Sequence, residues 1–158
     1  MKAPKTISES LEALTGQSAW GLQRTVGSMF FLEFGQAVNL GSNSRGEPRI
    51  HGEWHFLFEL CSWSLRSASG FDLSSNDLLE AIDSKFASLS LGSVSSANFS
   101  ADTNRLDIQF TSESSLTVTP DSDFENPDDI QWLFFIPGDL AWRKTNTSLG
   151  VRSIYEQS

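Results

Sequence analysis

The segment from Trp54 to Leu65 carries large apolar side chains at both alternating sets of positions, in the order Trp-His-Phe-Leu-Phe-Glu-Leu-Cys-Ser-Trp-Ser-Leu. Successive side chains of a strand point to opposite faces, so Phe56 and its even-numbered neighbours share one face, and Trp63 and its odd-numbered neighbours share the other. A strand that is apolar on both faces lies in the middle of a sheet with packing above and below it. We therefore predict a long central strand over residues 50–66, which exceeds the usual strand length and has room for a bulge.

Apolar and polar residues alternate with a period of two in the second half of the chain. Leu106, Ile108 and Phe110 alternate with polar residues, and polar segments at 101–104 and 112–114 predict turns on either side of them. This pattern is typical of a meander of half-exposed antiparallel strands. Further strands are predicted over 26–34 and 37–40, paired as a hairpin across Gly35 and Gln36, and over 89–99, 116–119, 132–136 and 140–143. Residues 151–155 are expected either to add a last short strand or to pack loosely on the sheet.

Two segments carry helical signals. Residues 8–16 combine a hydroxyl cap, an early glutamate and leucines three apart with Gly16 as the terminating residue, which predicts a short N-terminal helix. Residues 75–87 place apolar side chains at helical spacing after a capping serine, with Asp77 near the positive end of the helix dipole. This second segment is the predicted principal helix.

Together these elements predict an α+β fold, with a largely antiparallel sheet, the helix over about 75–87 packed on one face, and the short helix at the N-terminus. A length of 158 residues corresponds to one domain, and no repeat or linker divides the sequence, so we predict a single domain over 1–158. No segment approaches the roughly 20 apolar residues of a membrane-spanning helix, and the N-terminus lacks the apolar region of a secretory signal. We expect a soluble, cytoplasmic protein without a membrane partner.

The net charge of -9 and a pI near 4.5 repel nucleic-acid backbones and anionic membranes, and they favour encounter with a basic partner. Basic residues are scattered and form no stripe with stacking aromatic residues, so nucleic-acid binding is not expected. The single cysteine, Cys61, has no partner for an internal disulfide. Its position in an apolar strand predicts a small buried side chain rather than a reactive thiol.

His51, Glu53 and His55 are the residue types of a metal or acid–base site, and on a strand their side chains share a face. Residues four apart in an extended strand are about 13 Å apart, whereas zinc ligands each lie about 2 Å from one ion. A regular strand therefore keeps the two histidines from binding one metal, and the sequence indicates no further ligands. We expect no metal, no cofactor and no catalytic residue. The alternative is a small metal-dependent enzyme or ligand-binding protein that uses His51, Glu53 and His55.

The motifs of common enzyme classes are missing from the sequence. It contains no Gly-x-Ser-x-Gly, no phosphate-binding P-loop and no Gly-x-Gly-x-x-Gly. Hydrolase and nucleotide-dependent mechanisms therefore lack their usual sequence support.

An acidic segment lies between Pro120 and Ile130. It does not match the calcium loop of EF-hands, because Asn126 stands where that motif needs glycine and Trp132 where it needs glutamate. The simplest interpretation is a solvated loop. The more specific interpretation is a docking surface for a cationic protein, in which one aromatic side chain is the anchor and the carboxylates accelerate association. The predicted partner-binding residues are Asp121, Asp123, Phe124, Glu125, Asp128 and Asp129.

Residues 25–137 contain an aromatic strand, then Gly-Glu-Trp-His-Phe-Leu-Phe-Glu-Leu-Cys-Ser-Trp at 52–63, then strands of the form Leu-x-Ile-x-Phe, Leu-x-Val and Trp-x-Phe-x-Ile. This order of elements resembles that of small bacterial domains related to toxin-immunity proteins. Members of such families are compact, often acidic proteins that neutralise a cognate toxin by occluding its active site. The resemblance implies a non-enzymatic binding protein, an immunity-like inhibitor of a basic protein toxin, with the acidic segment as its contact surface. It transfers no site residues.

Overall fold

The computed structural model describes residues 4–155, and residues 1–3 and 156–158 of the predicted domain lie outside the described range. The described chain forms strands and two short helices in the order α1 (Ile7–Glu12), β1 (Ala19–Arg24), β2 (Phe30–Ser42), β3 (Pro48–Phe58), β4 (Ser62–Arg66), β5 (Asp72–Ser74), α2 (Leu79–Ser88), β6 (Val94–Ser100), β7 (Arg105–Phe110), β8 (Ser115–Thr119), β9 (Ile130–Ile136), β10 (Leu140–Thr145) and β11 (Leu149–Ser153).

The strands form two sheets, one of six strands in the order β1-β2-β3-β9-β10-β11 and one of five in the order β5-β4-β8-β7-β6. Every pairing of neighbouring strands within them is antiparallel. The inner faces of the sheets meet in one hydrophobic core, where the ring centroids of Phe30 and Trp63 are 4.8 Å apart and those of Trp132 and Phe99 are 5.8 Å apart. The prediction of a largely antiparallel sheet is confirmed, with two sheets in place of one.

The predicted central strand is two strands in different sheets. β3 belongs to the six-stranded sheet and β4 to the five-stranded sheet, and the chain crosses between them at 59–61. The crossing changes which positions face the core, since Phe56 and Phe58 are buried on β3 whereas Trp63 and Leu65 are buried on β4. This change of phase makes the sequence apolar at both sets of positions. The prediction of one strand covered on both faces was therefore wrong.

The N-terminal strands also differ from the prediction. β1 was not predicted, and the expected hairpin of 26–34 with 37–40 was wrong, because β2 runs without interruption through both segments and pairs with β3. The end of this β2–β3 hairpin, residues 36–50, is exposed along its whole length. We call residues 36–50 the hairpin arm.

The second half of the chain follows the sequence prediction. β6, β7 and β8 form an antiparallel meander, with turns at 101–104 and 111–114. β9 and β10 are antiparallel neighbours on either side of the turn at Pro137 and Gly138, and β11 adds the last strand beside β10. Strict alternation of apolar and polar residues explains the success for β7 and β8, since each has one face in the core and one in water. β9 is instead a nearly continuous apolar run, and the turn at Pro137 and Gly138 marks its end.

The helices are shorter than predicted and do not cover a sheet. α1 begins at Ile7, and the side chain of Thr6, rather than that of Ser8, accepts a hydrogen bond from the Glu9 N–H. α2 begins at Leu79, not near 75, and buries the side chains of Ile82 and Phe86. The prediction of a principal helix packed on the sheet was wrong, because the second sheet covers the apolar face. Within residues 4–155, neither helix has the length and apolar character that crossing a membrane requires.

Candidate functional site

Glu33 is a charged residue in the apolar run of β2. Phe30, Leu32 and Phe34 point into the core, so Glu33 lies on the opposite, outer face of the six-stranded sheet, where it is only 4% exposed. Gly21 of the neighbouring strand makes room for it, since a Cβ there would lie 2.6 Å from the Glu33 Cγ. The fold therefore holds one carboxylate against the outer face of the sheet.

A β-bulge distorts β2 and β3 next to Glu33. Two residues of β2, Gly35 and Gln36, lie opposite one residue of β3, Glu53. Gly35 has a φ of +79°, a conformation that favours glycine. The backbone N–H that the bulge leaves unpaired, that of Gln36, donates to the Glu53 Oε1 at 3.0 Å. Glu53, a sequence candidate for the site, therefore stabilises the bulge.

Gly52 lies beside the bulge at a position where there is no room for a side chain. A Cβ at this position would come within 2.3 Å of the Phe34 carbonyl oxygen and 2.7 Å of the Phe34 nitrogen, both backbone atoms of the adjacent strand. Its N–H donates to the Glu33 Oε1 at 2.8 Å. Glycine at this position thus lets the two strands approach closely and orients the Glu33 carboxylate.

Bulge and glycine together bring His51 and His55 to Glu33. The His51 Nδ1 lies 3.1 Å from the Glu33 Oε1 and 3.2 Å from its Oε2, and the two imidazole rings are stacked with centroids 4.3 Å apart at 18°. One potential ligand atom from each of the three residues lies within 4.8 Å of the others. The expectation that a strand keeps the histidines apart was therefore wrong, because strand spacing separates backbone positions, whereas the two rings meet beside the bulge.

His55 is held between two rings, and one of its ring nitrogens has no hydrogen-bond partner. Phe135 stacks on its other face with centroids 4.3 Å apart at 12°, and the residue is 8% exposed. Its Nδ1 is buried and makes no hydrogen bond within the described structure. Burial, followed by the proximity of His51, lowers the pKa of His55 to about 3, and the backbone of Gly52 opposes this shift less strongly. His55 is consequently a neutral imidazole at pH 7, with nitrogen lone-pair capacity that the protein leaves unused.

His51 and His55 line one end of a cavity of about 440 Å³ between the hairpin arm and the β9–β10 turn, together with Gly52 and Glu53, whereas Glu33 is not among the lining residues. Its remaining wall is mainly apolar, and Arg49 adds a positive charge from the arm. This combination of an apolar wall and a few converging polar groups is typical of small-molecule sites. The apolar lining residues are Phe31, Val38, Leu40, Phe135, Ile136, Leu140 and Ile154.

No family model, curated protein or solved structure matches this chain. Its candidate chemistry therefore depends on the geometry of its own residues. Two imidazoles and one carboxylate suit zinc and the neighbouring transition metals, and three protein ligands leave coordination positions open.

The structure replaces one of the sequence candidates. His51 and His55 belong to the cluster, but the carboxylate within reach is that of Glu33 rather than Glu53. The signal in the sequence was the position of Glu33 as the single charge in the apolar run 29–34. Its pairing with residues 18 to 22 positions later in the chain depends on strand register, which the sequence pattern does not specify.

Cys61 lies in the chain crossing between the two sheets. It is 2% exposed, and burial raises the pKa of its thiol to about 12, with the nearby charges of Asp121 and Glu59 acting in the same direction. A thiol with this pKa is almost entirely protonated at neutral pH, and only the thiolate is a nucleophile. The prediction that Cys61 is buried is confirmed.

The acidic loop, residues 121–129, joins β8 to β9 and has a defined conformation. Asn146 donates to the carbonyl oxygens of Phe124 at 2.9 Å and Asn126 at 2.6 Å, and the Asp121 side chain accepts from the Asp123 N–H. The predicted partner-binding residues thus share one surface loop, distinct from the cavity. Asp123, Glu125 and Asp128 are exposed, whereas Asp121, Phe124 and Asp129 are partly buried.

Proposed function

We propose that this protein binds a divalent transition-metal ion through Glu33, His51 and His55 and holds a small organic ligand beside it in the cavity. The observation that carries the proposal is the approach of three ligand-type atoms to within 4.8 Å of one another, one of them on an imidazole whose buried Nδ1 has no partner. Buried polar atoms in folded proteins are nearly always paired, so an unpaired one at the end of a cavity favours a missing partner.

The charges of the cluster favour a cation. A neutral His55 offers a lone pair at pH 7, and the Glu33 carboxylate balances part of a double positive charge. The Gly52 N–H fixes the orientation of that carboxylate, as supporting hydrogen bonds do around metal ligands. An ion held by these three ligands would keep open coordination positions, which a small molecule in the cavity beside His51 and His55 would fill.

Metal binding requires one ring to rotate. Stacked rings hold their nitrogen lone pairs in nearly parallel planes, which do not converge on a single point. His55 is fixed between His51 and Phe135, whereas the His51 side chain is 18% exposed and its one polar partner is Glu33. We therefore assign the movement to His51.

The test is calorimetric titration with Zn²⁺ and Co²⁺ after removal of metal by a chelator. The wild type is expected to bind one ion per chain, and Glu33→Gln and His51→Asn to weaken binding by about tenfold or more, as the loss of a metal ligand or its support does. Glu53→Gln is the matched control, because it removes a carboxylate outside the cluster while its amide oxygen can still accept from the Gln36 N–H that the bulge leaves unpaired. Absence of binding by the wild type, or equal weakening by Glu53→Gln, contradicts the proposal.

A second candidate function is the immunity-like inhibitor of a basic protein toxin, acting in the cytoplasm without catalysis. The observation that favours it is the acidic loop, since Asn146 holds its backbone in one conformation with exposed carboxylates around Phe124. A preformed surface loses less conformational entropy on binding, and its charges steer a cationic partner.

Neutralising the acidic loop tests this candidate. With a basic toxin-like protein encoded beside the gene as the binding partner, replacing Asp121, Asp123, Asp128 and Asp129 by asparagine is expected to slow association by about tenfold at low salt, and the difference is expected to shrink at high salt. The control neutralises four exposed acids elsewhere and changes the net charge equally. Equal association rates for the two variants would remove the loop from the mechanism. The control residues are Glu12, Glu47, Glu80 and Asp102.

A further inference from the structure

The histidine cluster is one end of a row that crosses the outer face of the six-stranded sheet. Strand register places Glu33 opposite His55, His55 opposite Phe135, Phe135 opposite Ala141, and Ala141 opposite Arg152. Arg152 is three strands from His55, or about 14 Å at the usual strand spacing. In the adjacent row on the same face, Arg143 lies between Leu133 and Gly150. The two arginines therefore lie side by side on this face of the sheet, at the far end from the two histidines.

An apolar groove connects the two ends. A depression of about 370 Å³ in front of the arginines has Ala141 as its small central residue and Leu133, Phe135 and Ile154 among its apolar residues. Phe135 and Ile154 also line the histidine cavity, so the two spaces are neighbours along the same face. The groove thus offers an elongated apolar molecule contact from one end to the other.

The arginines are not paired with a carboxylate in the described part of the chain. None of the ion pairs among residues 4–155 involves Arg143 or Arg152, and the Nε of Arg143 is buried without a hydrogen-bond partner. Glu59 and Asp128 are the nearby acids, and neither forms an ion pair with them. In a chain with a net charge of -9, two adjacent unpaired guanidinium groups indicate a site for an external anion.

We propose that Arg143 and Arg152 bind the anionic head of an elongated amphipathic ligand, a carboxylate, whose apolar body lies over Ala141 and Phe135 and whose other end reaches the histidine cluster. A guanidinium group matches the planar carboxylate with two parallel hydrogen bonds, and the low exposure of the Arg143 Nε strengthens such bonds. This inference rests on the proposed function and names the class of its organic ligand. The part of the site formed by Arg143 and Arg152 does not depend on a bound metal.

The test is calorimetric titration with decanoate in the presence of a chelator. Decanoate is expected to bind with one molecule per chain, and decanol, which lacks the charge, to bind at least about tenfold more weakly. Decyl phosphate is the second anionic probe. Tighter binding of decanoate supports a carboxylate ligand, whereas tighter binding of decyl phosphate overturns the choice of head group. Equal binding of decanol overturns the anion site.

Three variants locate the ligand. The double substitution Arg143→Gln with Arg152→Gln is expected to weaken decanoate binding at least about tenfold, and Arg66→Gln, on the other sheet, to leave it unchanged. Ala141→Leu fills the groove while keeping both charges, and it is expected to weaken binding to a similar degree. Thermal unfolding of each variant checks that it folds. Wild-type affinity in the double variant or in Ala141→Leu would overturn the proposed position.

The result can be separated from that of the metal test. Decanoate binding in chelator that depends on the arginines supports this inference even if Zn²⁺ does not bind. Zn²⁺ binding that depends on Glu33, without any decanoate binding, leaves the metal site in place and overturns the ligand assignment.

Discussion

Replacing Gly52 with alanine is expected to lower the free energy of unfolding by about 3–5 kcal/mol, or to prevent folding altogether. The added Cβ would lie 2.3 Å from the Phe34 carbonyl oxygen and 2.9 Å from that of Trp54, distances that real Cβ atoms essentially never show. These are backbone atoms inside the six-stranded sheet, so no flexible side chain can move aside. Relief requires β2 and β3 to separate, which also breaks the hydrogen bond from the Gly52 N–H to Glu33.

Urea unfolding of the variant measures this effect, and Gly150→Ala is its matched control. Gly150 also lies in a strand of the same sheet, but a Cβ there would meet nothing within 4 Å. We expect Gly150→Ala to be neutral or slightly stabilising, because alanine loses less backbone entropy than glycine on folding. If the two variants unfold at the same urea concentration, the pairing of β2 with β3 does not require glycine at position 52.

Acid is expected to destabilise the metal-free protein through His55, by about 3 kcal/mol between pH 6.5 and pH 4. The folded pKa of His55 is lowered from 6.5 to about 3, so between these values the unfolded chain binds a proton that the native protein does not. Stability therefore rises with pH across this window, is complete above pH 6.5, and is lost as the pH falls. Burial, which penalises the charged imidazolium, is the main cause.

His55→Phe tests this expectation, because phenylalanine keeps a planar ring between His51 and Phe135 but does not titrate. Urea unfolding at several pH values, with a chelator present, should give a shallower dependence on pH for the variant than for the wild type. His51→Asn removes the other, less buried imidazole of the cluster and should keep most of the dependence. Identical slopes for wild type and His55→Phe would show that His55 accepts its proton without cost in the folded state.

The three candidate surfaces adjoin one another on the six-stranded sheet. The cavity and the arginine groove share Phe135, and Asp128 of the acidic loop borders a further depression with Arg143 and Arg152. A cationic partner docked on the loop would therefore lie next to the anionic head of a bound ligand. The loop and decanoate experiments consequently report on neighbouring surfaces, and the loop variants should also be titrated with decanoate.

Much of the fold was predictable where a strand has one buried and one exposed face. The meander strands β7 and β8 follow directly from alternation of apolar and polar residues, and the β9–β10 pair follows from an apolar run that ends at Pro137 and Gly138. The prediction failed between residues 30 and 66, where β2 passes through a bulge and the chain crosses between sheets at 59–61. Both events shift the phase of the pattern, and a periodicity argument assumes that the phase is constant.

The sequence by itself determined the antiparallel strands of the second half, the acidic surface loop, the buried cysteine and the two histidines as the residues with metal-type chemistry. The tertiary structure alone decided that these histidines meet each other, that their carboxylate partner is Glu33, and that Arg152 ends the same row with Arg143 beside it, neither in an ion pair within residues 4–155. The physical reason is that local side-chain pattern specifies which face of a strand is buried, whereas strand order, register and one bulge specify which residues share the other face.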